Sequence, residues 1–152
     1  MKNLFRINRV LAAQAKMMVA LLVMLACMAC RNQVEQAAGT YSYKISGRVT
    51  VLGVEQALTD EIGTMEILPN TTNSAVVTFN ALRGPAYYTT AKINGKQIVL
   101  NPFEREVTQS AVEYGVTVSG DGTVYDQTIL ITLRYSGTSL NADSLLLLCK
   151  KN

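Results

Sequence analysis

Residues 41–51 read Tyr-Ser-Tyr-Lys-Ile-Ser-Gly-Arg-Val-Thr-Val, and this stretch decides the fold. Apolar and polar side chains alternate along it with a period of two. Because successive side chains of a strand point to opposite faces of a sheet, the alternation predicts a strand with one buried and one solvated face. Gly47 interrupts the apolar face and predicts a bend or a bulge there.

The same period of two recurs along the rest of the chain. With the turn residues between segments, it predicts further strands at 62–68, 74–82, 86–93, 96–100, 112–118 and 129–135, and the apolar run near the C-terminus predicts a final strand at 144–150. Between two of these strands lies Asn94-Gly95, a strong hairpin signal, because a type I′ turn needs positive φ at both central residues.

Glycine and proline divide the pattern at several other points. We expect Pro102 to end its strand, and we expect Gly120-Asp121-Gly122 and Ser136-Gly137 to form turns. Residues 54–62 are the one segment with helical character, and they form either a single helical turn or a polar loop across one end of the sheet.

About eight strands in chain order with short turns predict an antiparallel meander. Such a sheet buries its apolar face either by closing into a barrel or by folding into two packed sheets. Closure also removes the unpaired edges that invite aggregation. We therefore predict an all-β fold with a closed barrel, and a β-sandwich is the alternative.

The N-terminus has the pattern of an export signal. Residues 1–26 carry four basic residues and no acid, and they end in an apolar run that is too short to span a bilayer comfortably. A small residue then precedes Cys27, and a second Ala-Cys pair ends at Cys30. We interpret 1–26 as a lipoprotein signal peptide, with Cys27 as the lipidated residue and Cys30 as the alternative.

This interpretation sets the domain boundaries and the location. Residues 27–38 form the lipidated cysteine and a tether, and residues 39–152 form one β-barrel domain. The lipid anchor makes the membrane a partner. We place the protein in the bacterial cell envelope, at the outer membrane, on its periplasmic side or at the cell surface.

Composition excludes several classes of function. Four of the fourteen basic residues lie in 1–26, which leaves ten against eleven acids, so no basic surface remains for nucleic acid. The chain has no histidine, which excludes Ser-His-Asp and Cys-His catalysis and most catalytic zinc sites. Asp60-Glu61 and Glu104-Arg105-Glu106 are interpreted as solvated charge between strands. We expect no enzymatic activity, no metal and no cofactor.

A family resemblance rests on the first strand and on a late one. Gly39-Thr40-Tyr41 resembles the Gly-x-Trp opening of lipocalins, with tyrosine in place of tryptophan, and residues 127–137 form a matching late strand. With the lipoprotein signal, the chain resembles the small calycin-like (lipocalin-like) β-barrel lipoproteins of Gram-negative envelopes. The resemblance implies a barrel that holds a small apolar ligand, with Arg134 packed over Tyr41 as a cation–π contact.

The seven tyrosines outnumber the three phenylalanines, and four of them fall on apolar strand faces. A phenol inside a barrel needs a hydrogen-bond partner, so these tyrosines suit a cavity for a small amphiphilic ligand, and a filled core is the alternative. The candidate lining residues are Tyr41, Tyr43, Ile45, Tyr114, Ile131, Leu133 and Tyr135.

Two questions remain open at this level. A non-enzymatic interaction or inhibitor module of the envelope is the alternative to a ligand-binding barrel. Cys149 lies in an apolar run and is expected to be a buried free thiol rather than the disulfide partner of Cys30.

Overall fold

The computed structural model describes residues 33–152. The predicted signal peptide and both candidate lipidation sites, Cys27 and Cys30, lie outside these residues. The described part begins with one short helix and continues as nine strands. These are α1 (Gln33–Ala37), β1 (Gly39–Val51), β2 (Val54–Ala57), β3 (Glu61–Thr71), β4 (Ser74–Ala81), β5 (Tyr87–Asn94), β6 (Gln97–Gln109), β7 (Val112–Val124), β8 (Thr128–Ser136) and β9 (Leu140–Lys151).

Eight of these strands close into an antiparallel barrel. β1 pairs with β3, each later strand pairs with the next, and β9 returns to pair with β1. The short strand β2 lies outside this circuit and pairs with the second half of β1. The predicted closed barrel is therefore confirmed, with one strand more than expected. The bulge predicted at Gly47 is also present, as a register shift between Gly47 and Thr50 in the β1–β9 pair.

Helix α1 covers one end of the barrel, here called the helix end. The Tyr41 hydroxyl donates a hydrogen bond to the Ala37 carbonyl at 2.8 Å, and the Gly95 amide donates to the side-chain oxygen of Gln33. Val34 and Ala37 are fully buried. Residues 33–37, which the sequence assigned to the tether, thus form a helix packed on the core, because their two apolar side chains bury against it.

The segment between β1 and β3 crosses the opposite end, here called the far end. The Leu58 amide donates to the Gly47 carbonyl, and Leu58 is buried. Gln109 accepts from the Thr59 amide at 2.9 Å and donates to the Ala57 carbonyl at 2.8 Å. The helical option for residues 54–62 is wrong, since they form β2 and a loop that Gln109 holds across the barrel.

Two interruptions of strands that proline and glycine predicted do not occur. β6 continues past Pro102, because a register shift between Leu100 and Phe103 places the proline at a bulge, where its missing amide is tolerated. Gly120-Asp121-Gly122 is not a turn but lies inside β7, and it pairs there with Ile131–Leu133 of β8. The absent side chains let β8 approach closely.

The hairpin predicted at Asn94-Gly95 is present, but its turn is shifted by one residue. Asn94 pairs with Gln97, so the central residues are Gly95 and Lys96, and only Gly95 has positive φ, at 61°. This is the type II′ pattern rather than type I′. Positive φ at both central residues occurs instead at Leu52-Gly53 and at Ser110-Ala111.

The barrel wall is split at the far end between β5 and β6. These strands pair only over Ala91–Asn94 and Gln97–Leu100. Beyond the bulge at Pro102, residues 103–109 pair with β7 alone, and residues 87–90 pair with β4 alone. We call this gap, flanked by residues 87–90 and 103–109, the β5–β6 slit.

Gly122 is expected to be essential for packing against β8. A Cβ atom at this position would overlap the Leu130 carbonyl and lie 2.6 Å from the Ile131 Cα atom. Gly122→Ala should therefore lower the free energy of unfolding by about 2–3 kcal/mol, measured by urea denaturation. Gly115→Ala is the matched control, because a Cβ there meets nothing within 4 Å, and its change should stay within about 0.5 kcal/mol. Equal stability of the two variants would contradict close strand approach at Gly122.

Candidate functional site

The exposure of inward-facing residues identifies where the barrel interior meets solvent. At the far end, Glu61, Tyr87, Phe103 and Arg105 all point inward and retain some solvent exposure. On the opposite wall of the same end, residues such as Val51, Val116, Tyr135 and Leu140 are buried. The interior therefore opens on the side of β3 to β6, next to the β5–β6 slit.

An ion pair between Arg105 and Glu61 lies at the centre of this opening. Arg105 Nη2 donates to Glu61 Oε2, and Nη1 donates to Glu61 Oε1 at 3.1 Å. The two side chains are only 7% and 18% exposed. Such a bidentate, mostly desolvated arginine–carboxylate pair is among the stronger polar contacts in proteins, and it fixes the orientation of both groups.

Two tyrosines form hydrogen bonds with the ion pair. The hydroxyls of Tyr43 and Tyr87 each donate to Glu61 Oε1 at 2.8 Å. Arg105 Nη1 also donates to the Tyr87 hydroxyl, and the Arg105 Cζ atom lies 4.1 Å from the centroid of the Tyr87 ring. Arg105 on β6 and Tyr87 on β5 thus bridge the slit with side chains where backbone pairing is absent.

Aromatic rings form the apolar wall of the opening. The rings of Phe79, Tyr87 and Phe103 are nearly parallel, with interplanar angles of 16–20° and centroid separations of 5.2–6.1 Å. Tyr43 meets Phe79 edge-on at 5.7 Å. Offset-parallel and edge-to-face arrangements are the favourable ones for aromatic pairs.

Burial and the ion pair together set the ionisation of the cluster. Burial alone would raise the pKa of Glu61, but the hydrogen bonds and charge of Arg105, with the two tyrosine hydroxyls, outweigh it and lower that pKa. Burial lowers the pKa of Arg105, and the contacts with Glu61 and the nearby tyrosines more than reverse this. Burial chiefly raises the pKa values of Tyr43 and Tyr87. At neutral pH the cluster therefore holds one positive charge, one negative charge and neutral phenols.

Tyr135 supplies a hydroxyl that has no hydrogen-bond partner. Its side chain is 3% exposed, and among residues 33–152 it is the one buried side-chain polar group without a partner. Burial raises its pKa, and the charges of Arg105 and Glu61 both act on it, so it lies beside the cluster. A buried hydroxyl without a partner is destabilising, and such groups are rare in native proteins.

The structure divides the candidate lining residues into three groups. Tyr43 and Tyr135 belong to the cluster at the far end, and Tyr114 is half-buried at the same end. Tyr41 lies at the helix end. Ile45, Ile131 and Leu133 are 0–2% exposed and pack in the middle of the barrel. Because a side chain without accessible surface cannot adjoin a space large enough for water, the middle of the barrel is filled.

The charged half of the site was misinterpreted from the sequence. Glu61 and Arg105 were expected to be solvated charge between strands, but both lie within strands and face the interior. Alternation along residues 103–109 carried the signal, since Arg105 shares the face of Phe103, Val107 and Gln109. The pairing with Glu61 depends on the register of β3, which the local pattern does not contain.

The predicted cation–π contact between Arg134 and Tyr41 is wrong. Arg134 faces outward from β8 and pairs with Asp121 at 2.7 Å. The cation near Tyr41 is Lys151, whose Nζ atom lies 5.6 Å from the ring centroid. Cys149 is a buried free thiol, and burial raises its pKa to about 12.

Other sites for chemistry are few in the part of the chain that the structure describes. No group of three or more Cys, Asp and Glu residues there is placed to hold a metal ion. No helix within residues 33–152 has the length and hydropathy needed to cross a bilayer. An open groove of about 620 Å³ runs along β6 and β7, and Arg105 is the one member of the cluster that also lines it.

Comparison with known proteins shows the fold but no family. No protein-family model matches the sequence, and no curated protein matches it. Among solved structures, a redesigned β-barrel, b11L5F_LGL, is similar with a TM-score of 0.51 and 9% identity over 81% of this chain and 97% of its own. EF1p2_mFAP2b, solved with DFHBI bound, is similar with a TM-score of 0.52 and 10% identity over 80% of this chain and 98% of its own. The closed barrel is consistent with the calycin-like resemblance.

Removal of one charge of the ion pair should destabilise the protein more than removal of both charges. Arg105→Met leaves the Glu61 carboxylate desolvated without a cation and should lower the free energy of unfolding by about 3 kcal/mol. Adding Glu61→Gln removes that charge while its amide oxygen still accepts from Tyr43 and Tyr87, so most of the loss should be recovered. Urea denaturation of the two single variants and the double variant measures this. A double variant less stable than Arg105→Met would contradict the account.

The dependence of stability on pH gives an independent check on Glu61. Its pKa is lowered from an ordinary value of 4.5, so the unfolded chain binds the proton more tightly. The stabilisation should be complete above pH 4.5 and be lost as the pH falls through the lowered pKa. The difference in the free energy of unfolding between the wild type and Glu61→Gln should therefore shrink on acidification. A difference that stays constant with pH would contradict a lowered pKa of Glu61.

Tyr135→Phe is expected to stabilise the protein. The substitution removes a buried hydroxyl that has no partner, and it should raise the free energy of unfolding by roughly 1 kcal/mol. Tyr43→Phe is the contrasting variant, because it removes a hydroxyl that donates to Glu61, and it should lower the free energy of unfolding by about 1 kcal/mol. Destabilisation by Tyr135→Phe in urea denaturation would show that the hydroxyl has a partner in solution.

Proposed function

We propose that this protein is a non-enzymatic lipoprotein of the bacterial cell envelope, whose barrel binds a small amphiphilic molecule at the far end. The observation that carries the binding proposal is the cluster of Arg105, Glu61, Tyr43, Tyr87 and Tyr135 at the far end, where inward-facing residues of β3, β5 and β6 reach solvent. Polar groups placed beside stacked rings in an opening to solvent suit a ligand with a polar group and an apolar body.

Stability alone does not account for this cluster. A buried ion pair is rarely more stabilising than apolar residues of the same volume, because both charges lose their hydration. The far end also keeps a hydroxyl without a partner, although phenylalanine would fill the same space. Residues that reduce stability at a solvent opening are typical of binding sites.

The fold is compatible with ligand binding. The barrel is shared with EF1p2_mFAP2b, whose structure contains DFHBI. The location in the envelope is supported by residues 1–26 and by the two cysteines that follow them. Two or three acyl chains on one of these cysteines would give stable attachment to a bilayer.

The binding proposal is tested with the neutral fluorophore N-phenyl-1-naphthylamine. Its emission should rise on mixing with the wild type, and affinity should fall about tenfold in the double variant Arg105→Met/Glu61→Gln, which loses the charged cluster. The matched control is Arg134→Met/Asp121→Asn, which removes an exposed pair on the outer wall and should bind like the wild type. No emission change, or equal losses in both double variants, would contradict a site at the far end.

The anchor is tested separately in a Gram-negative host with an alkyne analogue of palmitate. The wild type and Cys30→Ser should be labelled, and Cys27→Ser should not. Labelling that depends on Cys30 alone would move the anchor to the alternative residue, and the absence of labelling in the wild type would overturn the lipoprotein proposal.

A second candidate function is protein–protein interaction, and one observation favours it. β2 pairs only with β1 among the described strands, so its outer edge is free, and Leu52 and Val54 beside it are 76% and 66% exposed. Exposed apolar residues at a free strand edge suit pairing with a strand of another protein. This second function is tested in cells with a crosslinking group placed at residue 54, and with residue 125 as an exposed control position. A specific adduct from residue 54 alone supports an interaction module.

A further inference from the structure

We infer that the bound molecule is flat and uncharged and carries an oxygen atom that accepts a hydrogen bond from Tyr135. This inference rests on the proposed binding function and specifies the chemistry of its ligand. It follows from three features of the far end: the geometry of the slit, the charge balance of the cluster and the count of its free hydrogen-bond donors.

The geometry of the slit favours a flat molecule. Tyr87 on β5 and Phe103 on β6 stand on opposite sides of the slit, are both half-buried, and have ring planes 20° apart with centroids separated by 5.5 Å. No backbone hydrogen bond joins the two strands there. The two rings thus contact each other across the slit, and a planar ring system is the shape that can add to their offset-parallel stack with Phe79.

The charge balance of the cluster favours a neutral molecule. The single carboxylate, Glu61 from β3, is matched by the single cation, Arg105 from β6, and the groups from β1, β5 and β8 are phenols. An added anion would lie near the Glu61 carboxylate while Arg105 is already engaged with it. An added cation would compete with Arg105 for the same carboxylate. Both arrangements leave an uncompensated charge in a desolvated site.

The donor count identifies the polar atom of the ligand. The hydroxyls of Tyr43 and Tyr87 are both used as donors to Glu61, and so are both Nη atoms of Arg105. The Tyr135 O–H remains without a partner, and Arg105 Nη2 has a second N–H with none among the described residues. The Tyr135 oxygen is fully enclosed, so a ligand oxygen reaches it only when neighbouring side chains of the cluster move aside. The site thus offers donors and needs an acceptor, which a ketone, ester or amide oxygen supplies without charge.

The experiment uses three naphthalenes of nearly the same size. These are 2-acetylnaphthalene, which has a neutral oxygen acceptor, 2-naphthoate, which is an anion, and 2-ethylnaphthalene, which has no oxygen. Equilibrium dialysis is suitable, because absorbance is read in the chamber without protein, where the seven tyrosines of the chain do not interfere. We expect 2-acetylnaphthalene to bind at least tenfold more tightly than either of the others.

Tyr135→Phe separates recognition by the hydroxyl from ring stacking. It should weaken binding of 2-acetylnaphthalene about tenfold and leave binding of 2-ethylnaphthalene unchanged, while the fold is retained. Tyr125→Phe is the control, since Tyr125 is 49% exposed and should not affect any of the three. Phe103→Leu reduces the ring stack and should weaken all three.

The outcomes distinguish this inference from the proposed function. If all three molecules bind equally, or if 2-naphthoate binds most tightly, the barrel binds ligands but the inference about their chemistry is wrong. If Tyr135→Phe leaves binding of 2-acetylnaphthalene unchanged, the hydroxyl is not the donor and the inference is also wrong. If none of the three is retained, both the inference and the binding function fail.

Discussion

The structure depends on the pairing of its last strand with its first. β9 meets β1 along most of its length, from Tyr41 opposite Lys151 to Val51 opposite Leu140, and this joins the two ends of the domain. Without that pairing the meander would be an open sheet with two long edges and one solvated apolar face. Closure brings inward-facing side chains from all eight strands together, and so it creates both the core and the enclosed site.

The local alternation of apolar and polar residues predicts most of the fold but little of the cluster at the far end. The alternation along residues 41–51 and its recurrences predicted strand positions, because a period of two is a property of one strand and its burial. Pro102 and Gly120-Asp121-Gly122 were misinterpreted as breaks, because a bulge and a close approach of two strands depend on partners that are distant in sequence. The pairing of Glu61 with Arg105 has the same origin: two residues 44 positions apart meet only when the sheet closes.

The barrel combines two regions with different physical character. From the helix end to the middle, fully buried side chains such as Ile67, Ile98 and Ile129 fill the interior. This dense packing supplies the hydrophobic stabilisation of the fold. At the far end the interior contains an ion pair, three phenols and stacked rings, which stabilise the fold less well. The filled region thus allows the far end to retain groups that contribute less to the stability of the fold.

The β5–β6 slit has a consequence for how quickly a molecule could reach the interior. In a barrel that is hydrogen-bonded throughout, entry through the wall requires several backbone bonds to break together, and such local opening is slow and infrequent. Here side chains span the gap: Arg105 Nη1 donates to the Tyr87 hydroxyl, and the Thr89 hydroxyl donates to the Asn101 carbonyl at 2.8 Å. The wall can therefore open at this place by breaking contacts that side chains make, while the backbone pairing of the closed sheet stays intact.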